Sequence, residues 1–143
     1  MEKEIAQLRQ WEELSLEYAQ MTVVVGRRRI GKTTLIKKAM EGRMTLYFFV
    51  AKKNETLLCE EFVELIRVVL NVKIVGQLTD FKSIFEYLMQ LSTERHFTLI
   101  IDEFQEFFNI NSSVYSDMQN IWDQYRKSSH MNLIVSGSIY SLM

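Results

Sequence analysis

One segment near the N-terminus has the residue types and spacing to bind phosphate groups. It matches the pattern G-x-x-x-x-G-K-[ST] and reads Gly26-Arg27-Arg28-Arg29-Ile30-Gly31-Lys32-Thr33, followed by Thr34. Its two glycines allow backbone angles and close approach that a Cβ atom would forbid, so successive N–H groups can converge on a phosphate at a helix N-terminus. Lys32 would contact the β- and γ-phosphates of a nucleotide, and the Thr33 hydroxyl would bind Mg²⁺. We therefore predict a nucleotide-binding loop at residues 26–34, the alternative being a glycine turn before an ordinary helix.

A pair of carboxylates follows an apolar run later in the chain. The run at residues 97–101 is typical of a buried strand and ends at Asp102-Glu103. In open α/β sheets, ligands bind at the carboxyl ends of the strands. We expect Asp102 to hold the hydrated Mg²⁺, and Glu103 to act as the catalytic base that orients the attacking water and accepts its proton. A charged entry into a helix is the alternative.

A third apolar run, Leu133-Ile134-Val135, ends in the small polar residues Ser136-Gly137-Ser138. A small hydroxyl at the tip of a strand beside the carboxylate strand could contact the γ-phosphate or the nucleophilic water. We favour Ser136 for this catalytic sensor role. A simple Ser/Gly turn is the alternative.

Strand and helix patterns alternate along the chain and would position these residues. Apolar runs predict strands at residues 22–25, 45–50, 97–101 and 132–135. Apolar residues at three- and four-residue spacing predict a first helix from Ile5 to Tyr18, and further helices at 32–41, 55–70, 81–91 and 114–127. Gly42 can close the second helix, and Thr79 or Asp80 can cap the fourth. The alternation predicts one α/β domain whose parallel sheet is covered on both faces.

Composition limits the class of protein further. The chain has 143 residues, 48% of them hydrophobic, with no proline and one cysteine, which excludes a disordered chain, a collagen-like repeat and a disulfide scaffold. No apolar run approaches the roughly eighteen residues that span a bilayer, and the charged N-terminus leads into no signal-like core. We expect a soluble, cytoplasmic protein without a membrane partner. Cys59 is expected in the core, and neither histidine has the partners of a zinc site.

The charge distribution leaves one question open. A net charge of −1 argues against a general nucleic-acid binder, yet seven basic residues and one acidic residue lie between Gly26 and Arg43. The backbone of a phosphate loop wraps the anion, so the side chains of its three arginines mostly point outward. They could form a solvated rim, contact a neighbouring domain or subunit, or bind nucleic acid.

Taken together, the phosphate loop, Asp102-Glu103-Phe104-Gln105 and Ser136-Gly137-Ser138 resemble the Walker A, Walker B and sensor segments of the archaeal-type ATPase family, in the AAA/STAND group of P-loop ATPases. The resemblance implies a three-layer sandwich with five parallel strands in the order 5-1-4-3-2, ATP as nucleotide and Mg²⁺ as metal. The fifth strand, an arginine finger and a helical lid would lie beyond Met143. Residues 1–143 are thus expected to be a partial ATPase domain, truncated after the sensor strand.

The resemblance implies that the parent protein is a Mg²⁺-dependent ATP hydrolase. The alternatives are a nucleotide-gated switch, with ATP occupancy controlling assembly, and a DNA-associated loader. Expected partners are ATP, a second copy of the chain or C-terminal domains of the parent chain, with nucleic acid left open. A GTPase is disfavoured because the chain has neither an N-K-x-D motif nor D-x-x-G at the carboxylate strand. Without a fifth strand, the strand predicted at residues 22–25 would be an uncovered edge, so this chain is expected to bind nucleotide weakly and to self-associate.

Overall fold

The computed structural model describes residues 1–26 and 31–138. Its helices are α1 (Glu2–Leu14), α2 (Lys32–Ala39), α3 (Glu55–Leu70), α4 (Phe81–Leu91), α5 (Phe107–Ile110) and α6 (Val114–Tyr125). Its strands are β1 (Gln20–Gly26), β2 (Thr45–Phe49), β3 (Phe97–Asp102) and β4 (Met131–Ser138). A 3₁₀ turn, Phe104–Glu106, links β3 to α5.

The four strands form one parallel sheet in the order β1-β4-β3-β2. β3 and β4 occupy the centre, and their side chains are buried on both faces because helices cover both. The register places Ile101 of β3 between Phe48 of β2 and Val135 of β4. The predicted α/β fold with a parallel sheet is confirmed, and the strand order agrees with the 1-4-3-2 part of the family order.

The helices complete a three-layer sandwich around two apolar cores. On one face, α3, α4, α5 and α6 cover the sheet over packed aromatic rings that include Phe48, Phe62, Phe81 and Phe107. On the opposite face, α1 and α2 pack on the central strands through Ile5, Leu8, Ile36, Ile100 and Ile134. Because β3 and β4 lie between the two cores, packing fixes where their carboxyl ends lie relative to α2.

Two residues predicted to mark the boundaries of helices have the expected local geometry. Asp80 caps α4, since its carboxylate accepts a hydrogen bond from the Ser83 N–H at 2.7 Å, whereas Thr79 makes no such cap. Gly42 has a φ of +79°, the left-handed conformation expected after a helix, although α2 itself ends earlier at Ala39.

Several elements differ by a few residues from their predicted extents, and β4 and the first helix differ most. β4 runs on to Ser138, because β1 provides partners for Ser136, Gly137 and Ser138 as far as Gly26, so these residues form strand rather than a turn. The first helix ends at Leu14 instead of reaching Tyr18. The chain must turn there to enter β1 at Gln20.

Among the residues that the structure describes, β1 lies at one edge of the sheet and pairs with β4. Its side chains Met21, Val23 and Val25 are 42%, 62% and 51% exposed, because the helices of that face do not extend over this strand. In the part of the chain that the structure describes, we find no helix with the length and apolar character to cross a membrane.

Candidate functional site

The site lies where the N-terminus of α2 meets the carboxyl ends of β3 and β4. Gly31 precedes α2 with φ +83° and ψ +17°, a left-handed conformation that glycine adopts without strain. Gly31 has no side chain with which to cap the helix, and the N–H groups of the first turn lack intrahelical partners. Together with the positive end of the helix dipole they suit an anion.

The other residues of the predicted loop are only partly described. Gly26 is buried at the end of β1 and pairs with Ser138, while Thr34 is exposed in the first turn of α2. Four predicted nucleotide contacts lie outside the described residues, namely Arg27, Arg28, Arg29 and Ile30.

Thr33 and Asp102 meet in space although 69 positions separate them in the sequence. The Thr33 hydroxyl donates a hydrogen bond to Oδ2 of Asp102 at 2.8 Å, and Asp102 is only 2% exposed. Adjacent ligands of an octahedral Mg²⁺, with bonds of about 2.0–2.1 Å, lie about 2.9 Å from each other. The two oxygens therefore already have the spacing of neighbouring magnesium ligands.

The side chains around Asp102 also fit Mg²⁺ better than they fit a metal ion whose ligands all come from the protein. Within residues 1–26 and 31–138, no cluster of three or more His, Cys, Asp or Glu side chains could hold a metal ion. Mg²⁺ is usually bound by one or two carboxylates together with substrate phosphates and water. A single buried carboxylate beside a hydroxyl and an anion-binding helix end matches that preference.

Tyr47 is a member of the site that the sequence did not reveal. Its hydroxyl donates a hydrogen bond to the same Oδ2 atom of Asp102. Burial raises the pKa of Tyr47, and the hydrogen bond to Asp102 raises it further, so the phenol stays a protonated donor at neutral pH. On the other side, the Lys37 ammonium lies 4.1 Å from the centre of the Tyr47 ring.

Glu103 directly follows β3 in an unusual backbone conformation. Its φ of 56° and ψ of 42° are left-handed, which costs a non-glycine residue on the order of 1 kcal/mol or more. Its N–H donates to Oδ1 of Asp102 at 2.9 Å. Such strain is typically stored at functional sites. Here the left-handed conformation turns the chain sharply, so that both carboxylates stay at the carboxyl ends of the strands.

The Glu103 carboxylate accepts hydrogen bonds from two of the described side chains. Ser138 donates its hydroxyl to Oε1 at 3.0 Å, and Gln105 donates its amide to Oε2. The Ser138 hydroxyl also lies 3.5 Å from the ammonium of Lys32, which is 8% exposed. Ser138, at the end of β4, thus lies in contact with both Lys32 and Glu103, the candidate base.

Ser136, the predicted sensor, lies two residues earlier in β4. It is buried, pairs with Val24 of β1, and its hydroxyl has no hydrogen-bond partner among the described residues. Ser138 is on the same face of the strand and makes the contacts to Lys32 and Glu103. The predicted strand ended at Val135, too early to place Ser138 at the carboxyl end of the sheet. In a longer β4, the alternation of side chains would have put Ser138 on the same face as Ser136.

The fold matches that of solved P-loop ATPases. Within that class, the chain belongs to the family described as the ATPase domain predominantly from Archaea, which matches residues 2–143. The resemblance seen in the sequence is therefore confirmed. Membership of an ATPase family implies that the domain binds a nucleotide.

A curated relative is an uncharacterized protein of Methanocaldococcus jannaschii, 29% identical over 132 residues. The match takes in 92% of this chain but 28% of that protein, so the chain spans little more than a quarter of its relative.

Solved structures of archaeal proteins share the fold. A Walker-type ATPase of Pyrococcus abyssi superposes with a TM-score of 0.64 at 19% identity, covering 92% of this chain and 44% of that one. Cdc6p of Pyrobaculum aerophilum gives 0.66 at 17% identity, covering 96% and 38%. The ORC2 protein of Aeropyrum pernix, solved in ADPNP–ADP complexes, gives 0.58 at 18% identity, covering 98% and 42%. At these identities the likeness concerns the fold alone.

Proposed function

We propose that this site binds ATP with Mg²⁺ and hydrolyses the bond between its β- and γ-phosphates, as in AAA/STAND-type ATPases. The observation that carries the proposal is the 2.8 Å hydrogen bond between Thr33 and Asp102, which brings a hydroxyl and a carboxylate to magnesium-ligand spacing beside Lys32 and Glu103. Family membership supports ATP as the nucleotide. Because the chain spans only part of its relatives, the activity is proposed for the complete natural protein.

Phosphate binding is assigned to α2. The N–H groups of its first turn hold the phosphates at the positive end of the helix, and the Lys32 ammonium turns from Ser138 toward the β- and γ-phosphates. Thr33 and Asp102 would hold the Mg²⁺ ion, which when bound would neutralise negative charge on the phosphates.

Proton transfer is assigned to Glu103. Its carboxylate accepts a proton from a water molecule as the water oxygen forms a bond to the γ-phosphorus. The bond from that phosphorus to the bridging oxygen breaks, and the electron pair leaves with ADP. A carboxylate held by Ser138, next to Lys32, lies on the side of the site where the γ-phosphate is expected.

Two serines of β4 are candidates for the group that contacts the γ-phosphate or the attacking water. Ser136 remains the prediction from sequence, and its hydroxyl, without a partner among the described residues, could take a new acceptor. The contacts favour Ser138, because its hydroxyl already lies between the lysine and the base.

The test of the proposal is Glu103→Gln in the complete natural protein. We expect steady-state phosphate release to fall about a hundredfold or more, since general bases commonly contribute that much, while ATP affinity is retained. Glu60→Gln, which neutralises an exposed carboxylate on α3, is the matched control and should leave turnover unchanged. A wild-type protein that binds ATP but never releases phosphate would instead indicate a nucleotide-gated switch.

A DNA-associated role is a second candidate, motivated by the cluster of basic residues between Gly26 and Arg43. The described part of this segment is partly committed elsewhere, because Arg43 is paired with Glu12 at 3.2 Å. Lys37 and Lys38 remain exposed on α2. Anisotropy titrations with duplex DNA should show affinity that falls steeply with salt, and no binding even at low salt would remove this candidate.

A further inference from the structure

We propose that Gln105 is the positioning residue of the catalytic base, since its carboxamide connects the Glu103 carboxylate to the backbone of β4. This inference rests on the proposed hydrolytic function and names a part of that site that the motif pattern does not assign.

Three hydrogen bonds form a closed ring. The Gln105 amide nitrogen donates to Oε2 of Glu103, and Oε1 of Glu103 accepts from the Ser138 hydroxyl at 3.0 Å. The backbone N–H of Ser138 then donates to Oε1 of Gln105 at 3.3 Å. Gln105 is 5% exposed, so its polar atoms depend on these partners rather than on water.

The partners require a carboxamide of this length. One is a carboxylate, which can only accept, and the other is an N–H group, which can only donate. The bridging group must therefore offer a donor on one side and an acceptor on the other, which also fixes which way the amide points. Glutamate in place of Gln105 would set two carboxylates against each other, and methionine would fill the space without either bond.

Glu103 needs such a restraint. Its left-handed backbone directs the side chain toward the sheet edge, but three rotatable bonds still separate the carboxylate from the backbone. Ser138, the only other described side chain that donates to this carboxylate, lies 3.5 Å from Lys32 and would be drawn into any contact with phosphate. When Ser138 contacts the phosphate, the hydrogen bond from the Gln105 amide keeps the Glu103 carboxylate in position.

Gly137 leaves the space that the amide occupies. A Cβ atom built on Gly137 would lie 2.8 Å from Oε1 of Gln105, closer than such atoms pack. The clashing atom is the end of a flexible side chain, so Gly137→Ala should fold and simply displace the amide. This substitution perturbs the bridge without altering any group that forms it.

The test measures ATP affinity and turnover separately in the complete natural protein. Gln105→Met and Gly137→Ala should each lower kcat by about tenfold to a hundredfold, because a displacement of about 1 Å can cost that much, while ATP affinity changes less than about threefold. In a Gln105→Ala background, adding Gly137→Ala should have little further effect, since no amide remains to displace. Gln119→Met removes an exposed amide that donates to Asp123 at 3.2 Å, and should leave kcat unchanged.

The side-chain amide resonance of Gln105 gives a readout that needs no turnover. In protein labelled with ¹⁵N-glutamine, the signal lost in Gln105→Met should shift in Gly137→Ala, while the Gln119 signal stays in place. Wild-type turnover with unchanged kcat in Gln105→Met and Gly137→Ala, or additive losses in the double variant, would overturn the role of Gln105 alone. A wild type without turnover would refute the hydrolytic function and this role with it.

Discussion

Asp102 is the residue on which the described contacts of the site converge. Thr33 and Tyr47 both donate to its Oδ2 atom, and the Glu103 N–H donates to Oδ1. An ionised carboxylate can accept all of these bonds at once, and together they fix the plane of the group. For a carboxylate proposed to hold Mg²⁺, Tyr47 and the Glu103 N–H are thus neighbours that set its orientation without touching the metal.

Tyr47→Phe should weaken magnesium binding. Removing the hydroxyl frees Asp102 to rotate, and outer-shell substitutions of this kind typically reduce metal affinity about tenfold or more. The measurement is the Mg²⁺ concentration at half-saturation of nucleotide binding in the complete natural protein. Tyr125→Phe is the control, because among the described residues that hydroxyl accepts a hydrogen bond from the exposed Gln90 amide, at 2.9 Å, and makes no contact with the site. Equal half-saturation in both variants would show that Tyr47 does not orient the carboxylate.

Cys59, the one cysteine of the chain, should be inert in the folded protein. It is 1% exposed, and burial, with smaller effects from Glu55 and Asp80, raises its pKa to about 12. At pH 8 only about one thiol in ten thousand is then ionised. Iodoacetamide, followed by mass spectrometry, should modify the native chain far more slowly than the denatured chain. Comparable rates for the two would contradict the burial of this side chain.

At the scale of elements, β4 illustrates how a neighbour extends a strand beyond its own signal. Ser136, Gly137 and Ser138 are poor strand formers, yet they pair with β1 and bring a hydroxyl to the site. Helix starts behave differently, because a cap lies within three residues of the groups that it satisfies. The cap of α4 was accordingly predictable to within one residue.

Asp80→Ala should destabilise the protein, whereas Thr79→Ala should not. Asp80 satisfies the Ser83 N–H at the start of α4, and loss of such a cap costs about 1 kcal/mol, or roughly 3 °C in Tm for a chain of this size. Thermal unfolding followed by circular dichroism makes the comparison. If Thr79→Ala lowered Tm as much as Asp80→Ala, the cap would be assigned to the wrong residue.

For the molecule as a whole, β1 and β2 are the edge strands of the sheet among the described residues, and β1 carries the larger set of exposed apolar side chains. The central strands are covered on both faces, but β1 presents unpaired backbone groups and three exposed apolar side chains. An edge of this kind is a template for pairing with another chain.

Val23→Lys should reduce self-association of the 143-residue chain. Val23 is 62% exposed at the middle of β1, and a charge on an edge strand opposes pairing with a second copy. Val68→Lys, at a 73% exposed position on α3, is the matched control and should not change association. Sedimentation velocity over a range of concentrations measures both. A chain that stays monomeric without any substitution would refute the expectation that this edge causes self-association.

The sequence by itself determined the features whose physics is local. The spacing of Gly31, Lys32 and Thr33 follows from what a backbone needs to surround a phosphate. Continuous apolar runs follow from the burial of strands on both faces, and helical periodicity follows from the burial of helices on one face. Asp102 and Glu103 could be proposed as partners of the loop because the carboxyl ends of parallel strands meet at one edge.

Only the tertiary structure decided which side chains complete the site. Tyr47 reaches Asp102 across 55 positions of sequence, and Gln105 reaches Ser138 across 33. These meetings depend on the order of the strands, on their register and on the turn that Glu103 makes after β3. All three are set by packing against the helices on both faces of the sheet, and packing between distant segments leaves no local pattern in one sequence.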